Sequence, residues 1–252
     1  MKFSTDALVL RQAPYSESSQ VVHLLTAQEG RVTCLARGVH RPKSDFGGAL
    51  DPMTRGEAQI TRRRSSELDL LHRFPIRQPY RGFRQSLLAW TAASHVLELV
   101  RRFAWVRDRD AGLFGLVTST LDSLEWQTDP VVVETWLASF DLHLLVRAGF
   151  RPELTLCIGC TTRIGDGAPA FSLEFGGVLC DRCAPRHRAV VRITEGALAL
   201  KRRILDGHAD ERVTPGPDSV SEARRTLDRV MEHRIERPLV ASRLFEEARS
   251  CA

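Results

Sequence analysis

Residues 157–183, CIGCTTRIGDGAPAFSLEFGGVLCDRC, hold four of the six cysteines of a 252-residue chain. They fall as two Cys-x-x-Cys pairs with 19 residues between them. Two residues between thiols is the spacing of a metal knuckle, and the interval suits a four-thiolate site. Thiolates are soft donors that match tetrahedral zinc. Within the insert, Phe171, Leu173 and Phe175 alternate with other residues, Gly176-Gly177 turns the chain, and Val178-Leu179 leads back to Cys180. A hairpin between two knuckles is the layout of a zinc ribbon. Cys157, Cys160, Cys180 and Cys183 are therefore the expected ligands of one zinc ion per chain. Four thiolates leave no position open for water, so the ion is expected to be structural rather than catalytic. A redox pair would need one exposed Cys-x-x-Cys at a helix start, which two pairs at ribbon spacing fit less well. His187 reads as a loop residue, Cys34 as a small core residue and Cys251 as a free thiol. A module of this size cannot hold itself together by burial alone.

The flanking chain changes period around this module. Residues 1–79 contain five short runs rich in Val, Leu and Ile: ALVLRQ, QVVHLLTA, RVTCLARG, EAQITRR and LDLLHRF. Turn signals separate them at Pro14 and Ser16, Glu29-Gly30, Gly47-Gly48 and Ser65-Ser66. Five strands in so short a span predict a small barrel, with the OB-fold the expected form and an SH3-like barrel the alternative. From Arg81 onward the pattern is helical. Phe83, Leu87, Trp90 and Leu97 form one apolar stripe, and Val133, Leu137, Phe140 and Leu144 another. Val220, Ala223, Leu227 and Val230 form a third. Ser219 with Glu222 reads as a capping box opening that last helix. Pro238 predicts one more helix, through Leu244, and 206–217 reads as a loop. The expected organisation is multi-domain α+β: an OB-fold domain over 1–79, a helical domain over 80–149, the zinc module over 150–191, and the rest of the helical domain over 192–252. No apolar run long enough to span a membrane occurs. The start of the chain, MKFSTDALVL, does not read as a secretory signal, so a cytoplasmic protein is expected.

Charge is uneven. The chain carries 36 Lys and Arg against 31 Asp and Glu, a net of +5. Residues 1–79 hold 12 basic and 8 acidic residues, so most of the excess lies in the β domain. Arg37, His40, Arg41 and Lys43 follow the third run, and Arg62, Arg63 and Arg64 follow the fourth. Cations spaced along a small barrel suit a phosphate backbone. Aromatic residues for base stacking are sparse there, so binding is expected to be led by the backbone. Arg186, Arg188, Arg192 and Lys201–Arg203 could extend a basic surface, although charge runs are more often ordinary solvated faces.

Catalytic patterns are lacking: the chain has no Gly-rich phosphate loop, no Gly-x-Ser-x-Gly and no His-Glu-x-x-His. Asp108 and Asp110 read as acids at a helix start, and His95 and His143 as packed residues. The protein is expected not to be an enzyme.

Several segments resemble the RecO family of bacterial DNA repair and recombination mediators. They are YSESS at 15–19, LLTAQEGRVTCLARGVHRPKSDFGGALDPMT at 24–54 and GFRPELTLCIGC at 149–160. The resemblance implies an OB-fold, a helical domain and an inserted zinc module. It also implies binding to single- and double-stranded DNA, strand annealing, and action with RecR and RecF to load RecA onto DNA coated by single-strand-binding protein (SSB). On that basis Arg37, Arg41 and Lys43 are the first candidate DNA contacts. The acidic C-terminal tail of SSB is expected to bind near Trp136, Phe140, Leu144 and Arg147. The alternative function is an RNA-binding or transcription-associated zinc-ribbon module, with a nuclease and a pure assembly scaffold as further rivals.

Overall fold

A computed structural model describes residues 1–41, 44, 46, 50–63, 66–104, 109–165, 168–206 and 215–250. Lys43, Arg64, Asp108, Cys251, the turn signals at Gly47-Gly48 and Ser65, and most of the 206–217 loop lie outside them. The chain divides into two compact units, 1–85 with 97–125 and 86–96 with 126–252.

The first unit is built on β1 (Lys2–Ser16), β2 (Ser19–Thr26), β3 (Gly30–Ala36), β4 (Arg55–Thr61), β5 (Asp69–Arg73) and the short β6 (Ile76–Gln78). β1 is 15 residues long and pairs with β2 along one part and with β4 along another. The order β1-β2-β3-β5-β4 thus closes back onto β1. This is the five-stranded OB-fold barrel that the period-2 runs predict. Ala7, Val9, Val22, Leu24, Val32, Cys34, Ala58, Ile60 and Leu71 point inward and form its core. β5 runs parallel to β3 and antiparallel to β4. Opposite β4, Gln59 faces Arg73 and Ile60 faces Leu71, so His72 is an extra residue, a bulge that breaks the alternation.

Two helices complete this unit: the second half of α1 (Leu87–Phe103) and α2 (Ala111–Leu124). Asp110 caps α2 by accepting from the Leu113 N–H at 3.0 Å, as its position before the helix predicts. Polar bonds fasten the helices to the barrel. Tyr80 donates to Asp122 at 2.7 Å, and Glu125 accepts from Gln78 and from the Gly82 N–H at 2.9 and 3.1 Å. Arg55 pairs with Asp6 at 2.6 Å while its guanidinium lies 5.6 Å from the Phe114 ring centroid.

The second unit contains the first half of α1, α3 (Pro130–Arg147), the cysteine module, α4 (Glu195–Asp206), α5 (Pro217–Ile235) and α6 (Val240–Ser250). The stripes on α3 and α5 are buried as the periodicity predicts. The stripe on α1 is corrected. Phe83 lies in a separate 3-10 turn, and Leu87 and Trp90 are 65% and 39% exposed. The buried face is instead Leu88, Ala89, Ala92, Ala93, Val96 and Leu97. The capping box is corrected too. Pro217 opens α5 from Gly216, and Glu222 instead accepts from the Thr194 N–H at the start of α4.

His95 is more than a packed residue. Its Nε2 lies 2.9 Å from Asp141 Oδ1 and its Nδ1 2.9 Å from the Ser242 hydroxyl, with Asp228 4.0 Å away. Arg224, fully buried on α5, pairs with Asp228 at 2.9 Å and with Glu246, and its guanidinium lies 4.5 Å from the Phe245 ring centroid. These groups join α1, α3, α5 and α6 through hydrogen bonds and ion pairs, because buried charges persist only when paired.

Burial opposes charge on His95, but the Asp141 and Asp228 carboxylates outweigh it and Arg224, and raise its pKa above 6.5. A raised folded pKa stabilises fully below the unfolded value and is lost as pH rises through the folded one. His95→Gln is therefore expected to lower the melting temperature on the order of 10 °C at pH 6. The gap between wild type and variant should narrow from pH 6.5 upward. A gap that stays constant to pH 9 would show that His95 carries no proton in the fold.

Candidate metal centre and nucleic-acid interface

The cysteine module starts from a fixed lead-in. Glu153 accepts the Thr155 and Leu156 N–H groups at 2.7 and 2.9 Å, and these bonds outweigh its burial and hold its carboxyl below the usual range. The first knuckle then turns tightly. Thr161, in the left-handed region at φ 59°, donates its N–H to the Cys157 carbonyl at 2.7 Å. In the second knuckle the Cys183 and Ala184 N–H groups both reach the Cys180 carbonyl, at 3.0 and 2.9 Å. Between the knuckles, β7 (Ala170–Ser172) and β8 (Gly177–Leu179) form the expected hairpin, turning through Gly176 at φ 67°. A third strand, β9 (Val190–Arg192), pairs on the other side of β7 and adds to the hairpin that the sequence predicts.

The two knuckles bring the four sulfurs within 4.8 Å of one another. Cys157 and Cys160 each lie 3.7 Å from Cys180. That is far beyond a disulfide bond. It is close to the ~3.8 Å edge of a tetrahedron built on zinc–sulfur bonds of about 2.3 Å. Gly159 makes the approach feasible, since a Cβ there would sit 3.0 Å from both Cys183 Cβ and its sulfur. The thiols also perturb one another. The Thr162 hydroxyl and N–H draw Cys160 down to about 6, while Cys180 and Cys160 push Cys183 up to about 12. Such a cluster cannot carry four negative charges without a cation, so the residues fit a four-thiolate metal ion, and their softness suits zinc. His187 is not among the ligands; its ring meets Phe175 edge-on at 5.7 Å.

Behind the module, Lys201 on α4 is fully buried, with its ammonium 5.7 Å from the Phe171 ring centroid. Burial pushes it down to about 7. Lys201 therefore cannot extend a basic surface, which corrects one expectation. Arg192 is committed to Asp181 at 2.6 Å, while Arg186, Arg188 and Arg203 are exposed. Phe140 and Leu144 are 1% and 2% exposed and fill the helical core, so they cannot line an open groove. Trp136, 39% exposed, and Arg147 at the end of α3 do reach the surface.

On the barrel, the basic residues sit where strands end. Arg37 follows β3, and a turn at Gly38, φ 71°, leads through His40 to Arg41. All three basic side chains are exposed, and His40 Nε2 lies 3.2 Å from Gln20 Nε2. Arg62 differs. It pairs with Glu29 at 2.6 Å and stacks 5.4 Å from the Phe3 centroid, while Arg109 takes the other Glu29 oxygen at 3.0 Å. Arg63 is exposed, and its N–H donates to Asp69 at 3.0 Å. Lys43 and Arg64 are outside the described residues.

A family model described as recombination protein O N terminal matches residues 1–80, and one described as recombination protein O C terminal matches 84–243. The chain belongs to the RecO family. A DNA repair protein RecO from Anaeromyxobacter sp. (strain K) is 33% identical over 242 residues, 95% of this chain and 94% of that protein. The Symbiobacterium thermophilum RecO is 31% identical over 253 residues, 98% of each chain, and the Myxococcus xanthus RecO 30% over 238 residues, 94% of each. As a RecO protein the chain is a DNA repair protein, and no helix among the described residues is long and apolar enough to cross a membrane.

Gly159→Ala is expected to lower metal content well below that of wild type, because the new methyl must displace Cys183. Gly165→Ala, whose Cβ would meet nothing within 4 Å, should leave it unchanged. Elemental analysis of freshly purified protein checks both. Full loading of Gly159→Ala would contradict this close packing of Gly159 on Cys183.

Proposed function

We propose that this chain is a recombination mediator that binds and anneals single-stranded DNA and, with RecR, helps load RecA onto SSB-coated DNA, carrying out no covalent chemistry. One structural zinc ion per chain, held by Cys157, Cys160, Cys180 and Cys183, staples the ribbon. Zinc supplies cross-linking energy to a module with too small a core; the surrounding residues turn the knuckles and dock Phe171 against α4. The protein works in the cytoplasm.

The observation that carries the DNA-binding reading is the pairing pattern on the barrel. Asp6, Glu29, Asp51 and Glu57 are each held by an arginine, Arg55, Arg62, Arg84 and Arg77 in turn. Arg37 and Arg41 have no hydrogen bond or ion pair from their side chains to another described residue. The positive excess is thereby concentrated at strand ends, where it can neutralise phosphates and release their counterions. Annealing makes the same demand twice, since two strands must meet against their mutual repulsion. The exposed Trp136 and Arg147 are the remaining place on α3 for an acidic tail with an apolar terminus, the chemistry of the SSB partner.

Arg37→Gln with Arg41→Gln is expected to weaken oligonucleotide binding without sequence preference. The slope of log affinity against log salt should flatten by about 0.7 for each phosphate that these cations neutralise on a single strand. Arg147→Glu should slow annealing of SSB-coated strands, with and without RecR, and leave annealing of bare strands intact. An unchanged slope moves the DNA site off this loop. Equal slowing on bare and coated strands removes the tail from α3. Tighter binding of RNA than DNA at equal salt would favour the RNA-binding alternative.

A further inference from the structure

The outside of the barrel carries a groove of about 490 Å³ that the basic-run pattern does not reveal. It is lined by Lys2, Phe3, Ser4, Gln59, Ile60, His72 and Arg73, with no acid among them. The strand register explains how residues so far apart in sequence meet. Lys2, Phe3 and Ser4 on β1 face Thr61, Ile60 and Gln59 on β4, and Gln59 in turn faces Arg73 on β5. The bulge turns His72 outward as well, with its Nε2 2.8 Å from the Thr61 hydroxyl. Lys2, Ser4, His72 and Arg73 are all exposed. Neither the Lys2 nor the Arg73 side chain has a hydrogen bond or ion pair to another described residue. Two acids of the barrel, by contrast, are engaged: Glu29 by Arg62 and Arg109, and Glu57 by Arg77.

The groove also leads toward the loop basic residues. β3 and β5 run parallel, and their last paired step is Ala36 with Leu71, both buried in the core. The next residue along each chain is Arg37 after β3 and His72 in β5, both exposed. From β1 across β4 and β5 to β3 is three strand spacings, roughly 14 Å.

We infer that this groove is a track for the sugar-phosphate backbone of a single DNA strand, running from Lys2 over Gln59 to Arg73 and on to Arg37. The inference rests on the DNA-binding reading above and gives it a path. The alternation of cations with Ser4, Gln59 and Thr61 supplies charge and hydrogen-bond donors along one line, as a phosphodiester chain requires. From β1 across β4 to β5 the lining spans two strand spacings, roughly 10 Å along the track. Phe3 is no stacking platform, because it is partly buried against the core and Arg62 lies over its ring. The track therefore grips phosphates and ignores base identity.

The test uses the full chain, with Lys2→Gln and Arg73→Gln combined, and a labelled oligothymidine and a blunt duplex of equal length titrated by anisotropy across salt. Taking two cations off the phosphates should flatten the single-strand slope by about 1.4. That corresponds to about 25-fold weaker binding at 0.1 M salt, with the difference vanishing near 1 M. Duplex affinity should change less. A second variant, Ser4→Glu, keeps both cations yet places a carboxylate in the groove, and should weaken single-strand binding as well. Circular dichroism confirms that each variant is folded. If wild type binds but both variants match its slope and affinity, the track is wrong while the DNA-binding reading stands. Equal weakening on duplex and single strand would overturn the single-strand assignment. Wild-type protein that binds neither probe would overturn the DNA-binding reading, and the track with it.

Discussion

The pairing of β1 with both β2 and β4 is the constraint on which the rest of the first unit depends. One strand of 15 residues serves as both the first and the last stave of the barrel. Its closure leaves no open edge for unwanted pairing among the five staves. It also fixes which residues face out. Once Val9, Leu24, Cys34, Ile60 and Leu71 are turned inward, the period of two sends Lys2, Ser4 and Gln59 to the opposite face. The groove and its charge follow from the same register that makes the core.

The second unit is held differently. Its helices share a buried set of charges around Arg224, and its ribbon depends on four thiols. Both solutions replace bulk apolar burial with directional bonds, and both are costly if one member is removed. In the ribbon the reason is size: three strands of three residues each enclose too little apolar surface to fold unaided. Phe171 packs 5.7 Å from the Lys201 ammonium, so a metal ion held by the four sulfurs would also secure the module's attachment to α4.

Much of this fold is readable in the residues, for identifiable reasons. Strand runs and cysteine spacing are local signals, and the barrel, the knuckles and the β7–β8 hairpin all match them. The departures come from signals that compete or act at long range. On α1 the buried face is largely alanine, so counting large apolar residues selects the exposed Leu87 and Trp90. At α5, Pro217 and Gly216 start the helix before Ser219, which frees Glu222 to cap α4. Lys201 resembles surface charge because nothing local marks a buried lysine. The partners of His95 lie 46 and 147 residues away, so its network cannot be read from periodicity. The groove is hidden for the same reason: only strand register places Lys2 beside Gln59 and Arg73.

The central claim is that DNA lies on the barrel while the thiolate module and the helices serve structure and partners. Photo-crosslinking of a short thiolated-thymidine strand to the full protein, with the attached peptides mapped by mass spectrometry, tests this most directly. The claim predicts crosslinks in peptides containing residues 2–4, 37–41, 59–61 and 72–73. Crosslinks confined to 150–250, with the barrel peptides unmarked, would contradict it.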